Sequence, residues 1–168
     1  MAFSIYRASA PVLIQALNGL VTILDKGAAF AETKKVDPAV LINARLAPDM
    51  FPLSRQVHIA TDVARRGMAR LAGTDPLTMP ENETTFDELK ARVTRSIDNV
   101  KSFKPEQIEG SEMRQITVPM GDEQMTFTCQ DYLFRFVLPN VFFHVTTTYA
   151  ILRHNGVELG KRDFLGEM

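Results

Sequence analysis

The sequence predicts an all-α protein, an antiparallel four-helix bundle with a small β-hairpin inserted between helices 3 and 4. Four long segments carry apolar residues at the i, i+3 and i+4 spacing of amphipathic helices. The third and fourth of these segments open on the capping-box patterns Thr85–Glu88 and Thr128–Asp131. Residues 113–128 instead alternate around a glycine turn, as strands do. Helices with one apolar face each pack into a bundle, so we expect one domain over residues 1–168.

The first half of the chain holds two long helices and one short helix. Leucines at helical spacing predict the first long helix over about Ser4–Glu32. Asp37 followed by proline is a favourable helix start, so a short helix is predicted over about Pro38–Leu46. The second long helix is predicted over about Leu53–Leu71, with Gly73 as its stop. Residues 74–84 hold two prolines and no periodicity, and are therefore predicted to form a loop.

In the second half, the third long helix begins at Thr85 and ends before Pro105. The hairpin occupies about residues 113–128. The fourth helix then runs from Thr128 to Asn155-Gly156, and Pro139 inside it is expected to kink it.

The tail, residues 157–168, shows no clear periodicity. Its apolar pair Phe164-Leu165 either folds back onto the bundle or binds a partner subunit, and an exposed flexible tail is the third alternative.

Composition narrows the class of protein. The formal net charge is −1 and the basic residues are scattered, which argues against nucleic-acid binding and against a helix-turn-helix regulator. We expect no membrane span, because no apolar run reaches the roughly 18–20 residues that a span requires. The N-terminal residues lack the features of a signal peptide, and the single cysteine, Cys129, excludes an internal disulfide. These features predict a cytoplasmic protein.

His144 is the main candidate functional residue. The fourth helix is apolar almost all round, so we expect it to be buried in the bundle. At about 100° per residue, Asn140, His144 and Thr147 share one face of that helix. Burying such groups without partners costs roughly 1–3 kcal/mol each. A side chain, a water molecule or a metal ion must therefore face them.

The order of elements and the last helix resemble a known superfamily. The segments that carry this resemblance are Leu138–Asn140, Phe143–Thr147, Tyr149–Gly156 and Gly160–Gly166. The chain is similar to the DinB/YfiT-like four-helix bundles, and more closely to a bacterial family of unknown function within that fold. This resemblance covers essentially the whole chain.

The resemblance implies a metal site. Members of the superfamily often hold a divalent metal through three histidines, one on the second helix and two at i and i+4 on the last helix. His144 lies twelve residues before Gly156 and matches the second histidine of that pair, whereas the first falls on Asn140. His58 matches the second-helix ligand, and Asp62, one turn later, is a further ligand or a carboxylate that orients the imidazole.

Simpler interpretations stay open beside the metal site. An amide is a poor ligand for zinc or nickel, so the site is degenerate and we expect weak or absent binding of either metal. In the simpler interpretation of His144, it is a buried histidine that is hydrogen-bonded to Asn140 or to another helix. In the simpler interpretation of His58 and Asp62, the two form an ordinary exposed pair on a helix surface. Thr147 either adds a hydroxyl to the pocket or bonds back to a carbonyl one turn earlier.

Two hypotheses about function follow. In the first, the bundle holds a small-molecule ligand in a core pocket around His144. The superfamily includes metal-dependent thiol-cofactor transferases and isomerases, so the resemblance implies that class. In the second, the bundle is not catalytic and works through dimerisation or partner binding. A homodimer is expected because the first and fourth helices carry more apolar surface than a short bundle needs, and because related bundles often dimerise.

Overall fold

Four long helical segments form the bundle. A computed structural model describes residues 4–166, except for the side chain of Met120. Helices α1 (Ile5–Lys34), α3 (Leu53–Ala72) and α4 (Phe86–Ser102) are the first three segments, and a composite helix over residues 129–154 is the fourth. The short helix α2 (Pro38–Ile42) lies between α1 and α3. The predicted bundle with a small hairpin is confirmed.

The helices enclose one apolar core. Helix α1 packs against α4 and the last helix, and α3 packs against the same two from the opposite side. The residues of the long helices that are completely buried there include Leu13, Leu17, Leu20, Leu24, Val57, Ala60, Ala64, Leu89, Val93, Val141 and Val145. Each helix thus buries the apolar stripe that its sequence pattern predicts.

Helix α1 begins at its side-chain cap and continues through a proline. The hydroxyl of Ser4 accepts a hydrogen bond from the backbone N–H of Arg7 at 3.0 Å. Contrary to our expectation from apolar run length, this 30-residue helix is long and apolar enough to cross a membrane. Half of its most apolar 18-residue window is buried inside the bundle, however, and a core helix passes the same test. The length and composition of α1 are therefore only weak evidence that it spans a membrane.

The local stop signals are mostly placed as predicted. Gly73 adopts φ +70° at the end of α3, a left-handed conformation that favours glycine. Helix α2 is shorter than predicted and ends at Ile42, because the side-chain amide of Asn43 donates to the carbonyl of Ala39 as a cap. At the start of α4, Thr85 and Glu88 form both halves of the predicted capping box.

The hairpin lies between α4 and the last helix. A short 3-10 turn (Pro105–Gln107) leads towards strand β1 (Gln115–Met120), which pairs with β2 (Glu123–Thr128) in antiparallel register. Gly121 adopts φ +64° in the connecting turn. Ile116 and Phe127 are paired across the strands and are both buried, so the hairpin extends the core.

The last helix is not one regular α-helix. It consists of α5 (Cys129–Tyr132), a π-helical segment (Leu133–Val137) and α6 (Leu138–His154). The π-helical segment ends two residues before Pro139, which lacks the N–H that continues the hydrogen-bond ladder. The side-chain amide of Asn140 donates to the carbonyl of Phe136 at 2.8 Å across this irregular region.

The described part of the tail folds back onto α1. It contains a short helix, α7 (Lys161–Leu165), that sequence periodicity did not reveal. Gln15 donates its side-chain amide to the carbonyl of Leu165 at 2.9 Å, and Lys26 pairs with Asp163 at 2.8 Å. A side chain at Gly19 would collide with the backbone of Phe164, so this glycine permits the close approach. The last two residues of the predicted tail lie outside the described range.

Candidate functional site

The predicted site residues are divided between two polar clusters. His144 on α6 contacts Gln56 on α3, whereas His58 and Asp62 belong to a network of ion pairs that includes α4. Gln56 and His58 are two residues apart on one helix, which places them about 200° apart around its axis. The two histidines therefore have different partners.

Gln56 orients the imidazole of His144. The Nδ1 atom of His144 lies 2.6 Å from Oε1 of Gln56, and both side chains are buried. The Nε2 atom of Gln56 donates to the carbonyl of Phe51 at 3.0 Å, which assigns Oε1 as the acceptor that faces the histidine. Nδ1 therefore carries the proton, and Nε2 presents a lone pair.

The Nε2 atom of His144 has no hydrogen-bond partner within residues 4–166, and the residue is 8% exposed. Burial lowers the pKa of His144, and the positive charge of Arg55 lowers it further. The imidazole is therefore neutral near pH 7, which makes Nε2 an acceptor, a base or a metal ligand.

Two exposed aromatic side chains lie beside this pair. The ring of Phe143 meets the imidazole of His144 edge-on at 5.2 Å between centroids, and its side chain is 55% exposed. Phe51, 53% exposed, lies under the guanidinium of Arg55 at 5.8 Å. His144 thus contacts one exposed aromatic ring, and Arg55 contacts another. We expected from its composition that α6 is buried on all sides, and this is wrong at Phe142 and Phe143.

Asn140 and Thr147 bond to their own helix. The hydroxyl of Thr147 donates to the carbonyl of Phe143 at 2.8 Å, which is the back-bonding alternative. The amide of Asn140 donates to Phe136, one turn earlier. Neither side chain hydrogen-bonds His144, whose partner is on another helix.

His58 is buried against a loop carboxylate. It is 6% exposed, and its Nε2 atom lies 2.9 Å from Oε2 of Glu83, although the two groups are not oriented as a hydrogen bond requires. Burial lowers the pKa of His58, with a further lowering from Arg92 that the charge of Glu83 partly offsets. The alternative of an exposed His58–Asp62 pair is therefore wrong, because tertiary packing covers this face of α3.

Asp62 pairs with arginines. Arg65 and Arg92 both contact its Oδ1 atom, the latter at 2.6 Å, and both arginines are almost completely buried. Arg92 also donates to the carbonyl of Pro80 at 2.5 Å and to Glu83 at 2.9 Å, and Arg65 donates to the carbonyl of Leu77. This network ties the loop between α3 and α4 to the bundle.

The residues present do not fit a metal site of three strong ligands. Asp62 is neutralised by arginines, and His58 faces Glu83. His144 keeps one imidazole nitrogen without a hydrogen-bond partner among the described residues, and Asn140 offers at most a weak carbonyl oxygen. Among residues 4–166, no three His, Cys, Asp or Glu side chains are grouped so that they would hold a metal ion.

Two grooves lie away from His144. One of about 890 Å³ follows the outer face of α1, and another of about 500 Å³ lies between the end of α1 and residues 156–158. Their linings do not include His144, so the predicted pocket around that residue stays a prediction.

Sequence reasoning missed four partners. The two clusters are completed by Gln56, Glu83, Arg65 and Arg92, yet none of them was a candidate. The sequence did indicate that Arg92 is buried, because this arginine, next to Val93, falls within the apolar stripe of α4. No sequence pattern indicated a role for Glu83, since it lies in a loop without periodicity.

Comparisons with known proteins agree with this architecture. The profile of a family described as a domain of unknown function (DUF1993) matches residues 5–165. The crystal structure of a DinB family member protein from Shewanella denitrificans superposes with a TM-score of 0.91 at 41% sequence identity. That match covers 97% of this chain and 92% of the other. Among curated proteins, no match was found.

Proposed function

The chain belongs to the DUF1993 family within the DinB-like superfamily, and from this premise we propose that it is a small-molecule-binding protein of the transferase type. One observation carries the proposal. Gln56 holds His144 so that a neutral imidazole presents an Nε2 lone pair that no residue of the range 4–166 uses.

The ligand must supply a proton donor to Nε2. The superfamily resemblance suggests a low-molecular-weight thiol, whose S–H group donates to the imidazole of His144. Phe51 and Phe143 offer apolar surface for the rest of such a ligand. Because a set of three strong metal ligands does not fit these residues, the proposal uses His144 itself rather than a bound metal. The degenerate site still permits weak binding of zinc or nickel.

Nuclear magnetic resonance of histidine ¹⁵N tests this function. We expect millimolar 2-mercaptoethanol to shift the Nε2 resonance of His144 saturably, whereas ethylene glycol, its oxygen analogue, leaves it unchanged. His144→Gln should abolish calorimetric binding of the thiol. His154→Gln, a change at an exposed histidine on the same helix, is the matched control. Equal responses to the thiol and the diol would remove the proposal.

The second candidate function is homodimerisation or partner binding. Phe142 and Phe143 are adjacent on α6 and are 38% and 55% exposed. Exposed aromatic side chains are enriched at protein interfaces. This candidate needs no ligand at His144, so the thiol titration separates it from the first.

A further inference from the structure

We propose that the outer face of α1 binds the α1 helix of a second copy of this chain in antiparallel orientation, so that Arg7 of each copy pairs with Asp25 of the other. This interface rests on homodimerisation, the second candidate function, and states where the two copies meet. Three features of the described residues support it: an uncharged stretch of α1, a continuous surface of apolar and aromatic residues, and opposite charges at the two ends of that stretch.

Helix α1 has an uncharged face that the bundle does not cover. No charged residue lies between Arg7 and Asp25, although 23% of the residues in the chain are charged. Within this stretch, Pro11, Gln15 and Asn18 are exposed. At about 100° per residue, Arg7, Pro11, Asn18 and Asp25 point within about 40° of one another, so they form a single stripe along the outer side of α1.

Two adjoining grooves extend this stripe into a broader surface. The groove of about 890 Å³ along α1 and a second groove of about 230 Å³ share Gln15, so the two are continuous. The second groove is lined by Phe142 of α6 and by Phe164 and Leu165 of α7, among others. None of the described residues that line either groove is charged, and three of them are aromatic. Depletion of charge together with enrichment of aromatic side chains is typical of the core of a protein interface.

The exposed area of the chain is larger than a compact monomer requires. The accessible surface is 9262 Å², whereas a compact monomer of 18.8 kDa exposes about 8300 Å². The excess of about 950 Å² is close to the roughly 800 Å² that each partner buries in a stable interface. A second copy on this face would therefore bring the exposed area per chain into the range of compact proteins.

The charges at the ends of the stripe fit a second copy of the chain. Arg7 is exposed and has no ion-pair partner among residues 4–166. Asp25 is 56% exposed and contacts Lys90 through its Oδ1 atom at 2.9 Å. An antiparallel second α1 places its Asp25 opposite Arg7, and two-fold symmetry repeats this pair at the other end. A parallel second α1 would bring like charges together, so the charges select the antiparallel orientation.

The register that pairs these charges also suits the residues between them. The two-fold axis passes midway between Arg7 and Asp25, so the exposed amides of Gln15 and Asn18 lie beside the axis, where they can hydrogen-bond those of the second copy. The charged ends are about 27 Å apart along α1. At a helix crossing of about 20°, the two axes are about 10 Å apart at these ends, a separation that the side chains of Arg7 and Asp25 span.

Charge reversal tests this interface. Sedimentation equilibrium measures the dimer Kd of the wild type, Arg7→Asp, Asp25→Arg and the double variant. Each single change places two like-charged pairs in the symmetric interface, so the Kd should rise by about tenfold or more, whereas the double variant should return to within about threefold of the wild type. Arg95→Asp, a charge reversal at an exposed position of α4, is the matched control and should leave the Kd unchanged.

The double variant separates pairing between copies from effects within one copy. An aspartate in the first turn of a helix interacts favourably with the helix dipole, so Arg7→Asp should not unfold α1. Asp25→Arg loses the contact with Lys90, but the double variant shares that loss. A double variant that dimerises no better than Asp25→Arg, or single variants that dimerise as tightly as the wild type, would overturn this interface and leave homodimerisation standing. A wild type that stays monomeric at high micromolar concentration would overturn both.

Discussion

Replacing Arg92 by leucine should cause a large loss of stability. The guanidinium donates to Thr61 at 2.9 Å, to Asp62 at 2.6 Å, to Glu83 at 2.9 Å and to the carbonyl of Pro80 at 2.5 Å. Leucine fills part of the space but leaves the acceptors without their donor. Removing one partner of a buried ion pair costs about 3–5 kcal/mol. Asp62 keeps Arg65 as a partner, so most of the loss comes from Glu83 and the loop carbonyl.

Urea denaturation followed by circular dichroism measures this loss. For a domain of this size, about 3–5 kcal/mol corresponds to a decrease in Tm of roughly 6–20 °C. The matched control is Arg95→Leu, the same change at an exposed position of α4, which should alter the free energy of unfolding by no more than about 0.5 kcal/mol.

A second measurement locates the effect. The loop between α3 and α4 contains Glu81 and Glu83, so a glutamate-specific protease cleaves it when it opens. Arg92→Leu should accelerate that cleavage, and Arg95→Leu should not. A free energy of unfolding within about 1 kcal/mol of the wild type would contradict the proposed clamp, since every buried-charge mechanism predicts more. Unchanged protection of the loop would contradict it as well.

Three further predictions concern metal binding, pH and assembly. Asn140→His should strengthen zinc or nickel binding, because it places a second imidazole one helical turn before His144; equal affinity by calorimetry would show that Asn140 is not the missing ligand. The pKa values of His58 and His144 are lowered in the folded state, so the unfolded state binds more protons below about pH 7 and stability falls as pH decreases through about 6.5. The slope is at most about 1.4 kcal/mol per pH unit for each histidine, and a flat urea midpoint between about pH 7 and 5.5 would refute it. Light scattering at micromolar concentration should give the mass of a homodimer, and the monomer mass would remove that proposal.

Local features of the sequence were sufficient to predict most helix boundaries. Apolar periodicity, the capping box at Thr85 and the stop at Gly73 each depend on residues within one or two turns, so they are visible in the sequence. The exceptions also have local causes that periodicity does not report. Asn43 caps α2 early, and the five-residue helix α7 is too short to show a repeat.

The partners of the candidate residues were decided by the tertiary structure. The sequence indicated that His144 is buried and needs a partner, but Gln56 is 88 positions away and faces it only because α3 packs against α6. In the same way, the sequence places His58 beside the apolar stripe of α3, where a side chain is expected to be exposed. In the folded protein the loop that carries Glu83 covers it. Periodicity defines which face of a helix is apolar, whereas the group that satisfies a buried polar atom depends on which elements meet there. The sequence by itself therefore determined the bundle and the burial of His144. Only the packing of the helices and of one irregular loop decided what each histidine contacts.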